Sequence, residues 1–131
     1  MNESVLVVDD DAEIRETLSS VLESEGYMVE LAKNGKEAIK ALESGFFDVA
    51  LIDVELPDTT GIDILRKFRE KEPRTILIII TGFASLENAV KAVNEGAHGY
   101  VLKPFNPADL LKMVRKRLEE KAAEYFRIRM D

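Results

Sequence analysis

The sequence predicts an α/β fold in which a five-stranded parallel sheet carries helices on both faces. Short apolar runs rich in valine and isoleucine alternate five times with amphipathic segments of helical period. Such runs suit strands that are buried on both faces, and right-handed crossovers then place the helices on either side of the sheet. At 131 residues the chain has the length of a single domain.

Five segments are predicted to form strands, each followed by a helical pattern. They are Val5–Val8, the weaker run Val29–Ala32, Val49–Ile52, Ile76–Ile80 and Tyr100–Leu102. Because these runs are short and nearly continuous rather than alternating, they suit strands buried on both faces, as in a parallel sheet.

The helical segments carry start and stop signals. Gly26 and Gly45 end the first two, Thr60 is a candidate N-cap of the third, and Asn106-Pro107 opens the fifth. The predicted apolar faces are Ile14, Leu18, Val21 and Leu22; Ala38, Ile39, Ala41 and Leu42; Ile64, Leu65 and Phe68; Ala89, Val90, Val93 and Gly96; and Leu110, Val114 and Leu118.

The last helical pattern continues beyond the predicted core. We expect residues 1–120 to form the domain, and residues 121–131 to form a helical extension or the start of a linker to an output domain. Apolar side chains at Ala122, Ala123, Tyr125 and Phe126 support this extension. A frayed terminus that covers a little apolar surface is an equally weighted alternative.

Composition excludes several classes of function. The chain has no cysteine, which rules out disulfides and thiolate sites. Its longest strongly apolar run, Ile76–Ile80, is far shorter than the roughly 20 residues that span a bilayer. The first residues show no secretory signal, so we expect a cytoplasmic protein that does not bind membranes.

The net charge of −7 is unevenly distributed. Residues 1–106 carry −9 and residues 107–131 carry +2. Because the acidic body repels phosphates, we expect no direct binding of nucleic acid. The basic run Arg115–Arg117 is either a contact patch or an ordinary solvated helix face.

Chemically reactive side chains follow four of the five strands. Asp9, Asp10 and Asp11 come after the first, Asp53 ends the third, Thr81 ends the fourth, and Lys103-Pro104 follows the fifth. In parallel sheets, sites form beyond the carboxyl ends of the strands. With strand order 2-1-3-4-5, these four strands are neighbours and their side chains meet at one edge.

Most of these residues also have a purely structural interpretation. Asp10, three residues before Glu13, or Asp11 is a candidate helix cap. Thr81 before Gly82 is typical of a turn, and Lys103 is a candidate solvated lysine. Asp53 differs, because a carboxylate at the end of that strand caps no adjacent helix. The convergence of all four on one edge favours a functional site.

The predicted acidic cluster is expected to hold either a proton or a cation. Adjacent strands lie about 4.8 Å apart, so the carboxylates of the first and third strands are expected within roughly 5 Å of each other. At that distance two carboxylates repel by about 3 kcal/mol at an effective dielectric near 20. Oxygen ligands without histidine or cysteine favour Mg²⁺, and a nearby lysine and threonine would complete a cradle for a phosphoryl group.

The ordered motifs resemble the receiver domain of two-component response regulators. They are Val7-Val8-Asp9-Asp10, Asp53 with Leu56-Pro57, Thr81-Gly82, and Tyr100-Val101-Leu102-Lys103-Pro104-Phe105. The similarity covers Ser4 to Leu118, nearly the whole chain. It implies a flavodoxin-like (CheY-like) fold of five strand–helix units in the order 2-1-3-4-5.

The resemblance also implies a role for each matched residue. Asp53 is the phosphoacceptor, which attacks a phosphohistidine of a sensor histidine kinase. Mg²⁺ is held by Asp9, Asp10, Asp53 and the main-chain carbonyl of Glu55. Thr81 and Lys103 bind the phosphoryl oxygens, and the Lys103-Pro104 peptide is cis.

The signal is expected to leave the site through Thr81. We expect Thr81 to move towards the phosphoryl group together with the loop 81–85, and Tyr100 to turn inward as a switch. The alternative interpretation is that the Tyr100 ring only fills space beside Val101. The affected face, formed by the fourth helix, fifth strand and fifth helix, would bind an output domain, a protein partner or a second copy in a phosphorylation-dependent homodimer. His98 is expected on the surface.

Three other functions fit parts of the pattern less well. An Mg²⁺-dependent phosphohydrolase of the haloacid-dehalogenase type usually has a second aspartate two residues after the nucleophile, where this chain has Glu55. A phosphorylation-independent interaction module would not need the intact set of acids, threonine and lysine. Binding of FMN would need a Ser/Thr/Gly-rich loop after the first strand. We therefore expect a signalling domain that catalyses only its own phosphotransfer and dephosphorylation.

Overall fold

The computed structural model describes residues 2–82 and 86–130 as alternating strands and helices. The strands are β1 (Ser4–Val8), β2 (Met28–Ala32), β3 (Val49–Asp53), β4 (Ile76–Thr81) and β5 (Gly99–Leu102). The helices are α1 (Ala12–Ser24), α2 (Gly35–Ser44), α3 (Gly61–Lys71), α4 (Leu86–Asn94) and α5 (Pro107–Met130). Each predicted strand is present, with one residue added to the expected range.

All strand pairs are parallel, in the order β2-β1-β3-β4-β5. The flavodoxin-like (CheY-like) fold and its strand order are therefore confirmed. In this register Val8 lies opposite Ile52, and Asp53 opposite Ile80. The carboxyl ends of β1, β3 and β4 are thus adjacent, as the sequence predicts.

The sheet separates two apolar cores. One contains side chains of α2, α3 and α4, with Leu65 and Phe68 fully buried. The other lies under α1 and α5, where Leu18 and Val114 are almost completely buried. Alternate residues of the central strands supply both cores, which explains why these strands read as continuous apolar runs.

Helix α4 corrects one predicted face. The sequence pattern predicts Val90 and Val93 in the core, but their side chains are 51% and 40% exposed. Ala89 is fully buried as predicted, and Ala92, three residues later, is fully buried as well. The apolar stripe of α4 is wider than its contact with the sheet, and the small alanines face inward while the valines lie one residue further around the helix.

Local caps fix where the helices begin. Asp11 caps α1, accepting hydrogen bonds from the N–H groups of Glu13 and Ile14; Asp10 does not cap it. Thr60 caps α3 as predicted. Helix α5 runs without interruption to Met130, and residues 119–130 are all exposed. No helix within the described ranges has the length and apolarity needed to cross a membrane.

Candidate functional site

The structure brings the predicted acidic residues together at the carboxyl end of the sheet. Asp9 and Asp10 follow β1 directly, and Asp53 is the last residue of β3. One carboxylate oxygen from each lies within 4.8 Å of the others. Asp9 and Asp53 are buried, whereas Asp10 is exposed. The separation agrees with the value expected from strand spacing.

Lys103 bridges the two buried carboxylates. Its Nζ lies 2.7 Å from Asp53 Oδ2 and 2.9 Å from Asp9 Oδ2. Burial lowers the pKa of Lys103, but the attraction of the Asp53 and Asp9 carboxylates outweighs it, so the net shift is upward. Lys103 is therefore an ammonium at neutral pH, and its single positive charge partly neutralises two carboxylates. The peptide bond between Lys103 and Pro104 is cis, as expected.

Asp53 is held from its own loop as well as by Lys103. Its Oδ1 accepts a 2.9 Å hydrogen bond from the Glu55 N–H. Burial raises the pKa of Asp53 above its ordinary value, and the neighbouring Asp9 adds to the rise, while the bonds from Lys103 and Glu55 oppose it. The ionised Asp53 is thus held in an environment that disfavours its charge.

The donor set fits a hard divalent cation. Asp9 Oδ1 accepts a hydrogen bond from the Asp11 N–H at 2.9 Å, but its buried Oδ2 has only the ion-pair contact with Lys103 and no hydrogen bond within the described structure. A buried carboxylate oxygen without a hydrogen bond, beside two further carboxylates, offers the oxygen ligands that Mg²⁺ prefers. The residues present therefore suit the ion.

The loop between β3 and α3 closes tightly beside Asp53. The Gly61 N–H donates to the Val54 carbonyl at 2.8 Å, and Glu55 forms an isolated bridge with Thr60. A Cβ on Gly61 would lie 2.3 Å from the Asp53 carbonyl oxygen, so only glycine permits this approach. The closed loop positions the main chain of Glu55 next to Asp53.

Thr81 and Tyr100 lie on β4 and β5, at the positions expected from the strand order. Thr81 is fully buried, and its hydroxyl donates to the Gly82 carbonyl at 3.3 Å. Tyr100 lies on β5, and its side chain is 40% exposed. The rest of the loop expected to join their movements, residues 83–85, lies outside the described residues.

His98 is exposed, as predicted, but its ring has a structural contact that the sequence did not reveal. Its Nδ1 accepts a 3.0 Å hydrogen bond from the Leu77 N–H. Burial lowers the pKa of His98, and the charges of Arg117, Lys121 and Arg69 add to that shift. The imidazole is therefore neutral at physiological pH and serves as an acceptor at the start of β4.

Comparison with known families decides how this geometry is classified. Residues 5–115 match the family described as response regulator receiver domain. The chain belongs to that family. This receiver domain is a signalling domain of two-component systems, and its acidic cluster lies where the family resemblance placed it.

Relatives of this receiver domain include longer regulators. It is 40% identical over 115 residues to the transcriptional regulatory protein ResD of Bacillus subtilis. The aligned region covers 87% of this chain and 47% of ResD. A receiver domain of Methanospirillum hungatei matches with 41% identity and a TM-score of 0.89, covering 95% of this chain and 99% of that one.

The Brucella abortus protein NtrX matches over the whole length of this receiver domain. Its TM-score is 0.92 at 25% identity, with 100% of this chain and 30% of that chain covered. The chain spans between a quarter and about half of the first curated relatives it matches.

Proposed function

We propose that Asp53 is the phosphoacceptor of this receiver domain and that the donor is a phosphohistidine of a sensor histidine kinase. An Asp53 carboxylate oxygen forms a bond to phosphorus, and the bond between phosphorus and the histidine nitrogen breaks. The nitrogen keeps the electron pair, and the products are an aspartyl phosphate and a free imidazole. The observation that carries this proposal is that Asp53 lies within 4.8 Å of Asp9 and Asp10 and accepts a hydrogen bond from Lys103.

Asp9, Asp10, Asp53 and the Glu55 carbonyl are proposed to hold Mg²⁺. The ion would neutralise charge on the phosphoryl oxygens and orient them for in-line transfer. The exposed position of Asp10 leaves the cluster open on the solvent side. Asp9, fully buried, anchors the other side of the site.

Lys103 and Thr81 are proposed to bind the phosphoryl oxygens. Lys103 already lies 2.7 Å from the oxygen of Asp53 that faces it, so its ammonium needs little movement to reach a phosphoryl oxygen on that residue. The Thr81 hydroxyl now bonds its neighbour Gly82 at 3.3 Å, a weak contact that is readily exchanged for a charged acceptor.

The output is proposed to pass through the face formed by α4, β5 and α5. Withdrawal of the Tyr100 ring from the surface would change this face, which also exposes Val90 and Val93. An output domain or protein partner, or a second copy of this chain, would bind the changed face. With such a kinase and output, the domain would act in the cytoplasm, without direct contact to nucleic acid.

The division of the chain at residue 120 remains our proposal. Residues 121–130 continue α5 and carry Tyr125, Phe126 and Ile128 with exposed fractions of 60–67%. Curated relatives named as transcriptional regulators extend well beyond the matched region. Both features support a helical connection from α5 to an output domain.

Intact-mass measurement after incubation with acetyl phosphate tests the proposal. With Mg²⁺ we expect one phosphoryl group per chain, and with chelator none. Asp10→Asn should require more Mg²⁺ for the same gain, whereas Glu119→Gln, an exposed change on α5, should not. Steady hydrolysis of a general phosphomonoester, without modification of the chain, would instead indicate a phosphohydrolase.

A further inference from the structure

Asp58 joins the loop beside the acidic cluster to a different helix. This residue lies in the connection between β3 and α3, five positions after Asp53. Its Oδ1 accepts a hydrogen bond from the Gly35 N–H at 2.8 Å, and its Oδ2 accepts one from the Lys36 N–H at 3.0 Å. The two donors are in the first turn of α2, where main-chain N–H groups have no partner within the helix.

The contact is close on both sides. A Cβ on Gly35 would lie 2.3 Å from Thr59 Cγ2 and 3.2 Å from Asp58 Oδ1. The first residue of α2 therefore rests against the loop, and a side chain larger than glycine would displace the Thr59 and Asp58 side chains. Since Gly35 is buried, this packing excludes solvent from one side of the bond to Asp58.

Helix α2 does not depend on Asp58 for its cap. Asn34 already caps it, with its side-chain oxygen accepting from the Glu37 N–H at 2.8 Å. The Asp58 carboxylate serves two other donors, and hydrogen bonds from Gly35 and Lys36 keep its pKa below the ordinary value. Asn34 therefore contributes to the start of α2 alone, whereas Asp58 also attaches the helix to the loop.

The same loop is fixed at its opposite end beside Asp53. The Glu55 N–H donates to Asp53 Oδ1, and the Glu55–Thr60 bridge closes the base of the loop. Asp58 anchors the outer part of the loop, so the main chain between these points has little freedom. The Glu55 carbonyl, a proposed ligand of Mg²⁺, lies in this restrained stretch.

We propose that Asp58 is a positioning residue for the cation site: by anchoring the loop on α2 it holds the Glu55 main chain at the distance that the ion requires. This inference rests on the proposed function of the acidic cluster. Groups that orient metal ligands without touching the metal typically contribute about 10- to 100-fold in affinity.

Titration of the full chain with Mg²⁺ alone, followed by amide chemical shifts, tests this role. Asp58→Ala should raise the dissociation constant about tenfold. Asp58→Asn, which keeps one oxygen acceptor, should fall between this variant and wild type. Gly35→Ala disturbs the same contact from the helix side and should also weaken binding. Asn34→Ala is the matched control, because it removes the α2 cap and leaves the loop contact in place.

Urea unfolding of the same variants separates positioning from general stability. Asn34→Ala should lose stability yet bind Mg²⁺ with nearly wild-type affinity. Wild-type affinity in Asp58→Ala and Gly35→Ala would overturn the inference and leave the proposed function intact. Equal weakening in Asn34→Ala and Asp58→Ala would overturn it too, because loss of stability would then explain both. Absence of Mg²⁺ binding by the wild type would overturn the proposed function itself.

Discussion

The Lys103 ammonium donates a 2.7 Å hydrogen bond to Asp53 Oδ2 across 50 positions of sequence. The contact is possible because β3 and β5 flank β4 in the sheet and their carboxyl ends meet at one edge. One charge thereby stabilises a buried acid whose environment otherwise favours its protonated form. The same contact places a cationic hydrogen-bond donor beside the proposed nucleophile.

Removal of the ammonium should destabilise the metal-free protein. Lys103→Met leaves two buried carboxylates uncompensated, and we expect a loss of about 3 kcal/mol in the free energy of unfolding at pH 7. Mg²⁺ should restore part of the loss. Because the folded pKa of Lys103 is raised, its contribution is complete below its unfolded pKa and disappears as the pH rises through the folded value. Urea unfolding in chelator measures both effects. Lys112→Met, an exposed change on α5, is the control and should have little effect.

Charge on Asp53 should reduce the stability of the metal-free fold. The folded pKa is raised above the unfolded value of 3.8. The favourable contribution of the protonated group is therefore present below pH 3.8 and is lost as the pH rises through the folded pKa. Asp53→Asn should be more stable than wild type at pH 7 by on the order of 1 kcal/mol, since the cost of burying the charge and the repulsion from Asp9 are both relieved.

Unfolding curves from pH 3.5 to pH 7.5 in chelator test the Asp53 prediction. The difference between Asp53→Asn and wild type should grow with pH. A difference that stays constant over this range would show that the charge of Asp53 is fully compensated in the native state.

His98 should make the start of β4 sensitive to acid. Its folded pKa is lowered from 6.5, so its contribution is present above pH 6.5 and is lost as the pH falls through the folded value. His98→Ala should cost about 1 kcal/mol at pH 8, because the Leu77 N–H loses its acceptor. His98→Asn retains an acceptor near the position of Nδ1 and carries no proton at acidic pH.

Comparison of these variants at pH 8 and pH 5 by urea unfolding tests the role of His98. The wild type should lose more stability than His98→Asn on acidification. Equal losses would mean that protonation of His98 is not coupled to folding.

Thr81 should couple phosphorylation to the environment of Tyr100. In Thr81→Ala we expect phosphate on the chain after treatment with acetyl phosphate and Mg²⁺, but smaller shift changes at Tyr100 than in wild type. The contact of the Thr81 hydroxyl stabilises the state in which Tyr100 has turned inward, and the change in population can be no larger than this stabilisation allows. Without the hydroxyl, fewer molecules should reach that state. NMR spectra of both phosphorylated proteins provide the measurement. Identical changes at Tyr100 and along residues 86–118 would remove Thr81 from this role.

The fold and the composition of the acidic site were predictable from the sequence because both follow from regular strand geometry. Buried parallel strands read as continuous apolar runs, and residues after those runs meet at one edge. Asp9, Asp10 and Asp53 can therefore be grouped from the sequence alone. The cap at Thr60 was also predictable, because capping depends on neighbours within one turn.

Contacts between distant elements could not be predicted in the same way. Nothing near Asp58 in the sequence identifies the first turn of α2 as its partner, and nothing near His98 identifies the Leu77 N–H. The inward face of α4 was predicted only in part: Ala89 is buried as expected and Val90 is exposed, because only packing against the sheet distinguishes these two apolar residues. Lys103 was placed at the site, but its position between two carboxylates depends on side-chain geometry.

Intact mass of wild type and Asp53→Asn after acetyl phosphate and Mg²⁺ tests the central claim most directly. Asp109→Asn is the matched control, because that exposed aspartate makes no side-chain hydrogen bond or ion pair in the described structure. We predict the mass of one added phosphoryl group in wild type and in Asp109→Asn, and none in a folded Asp53→Asn. An equal gain in Asp53→Asn would contradict the assignment of Asp53 as the phosphoacceptor.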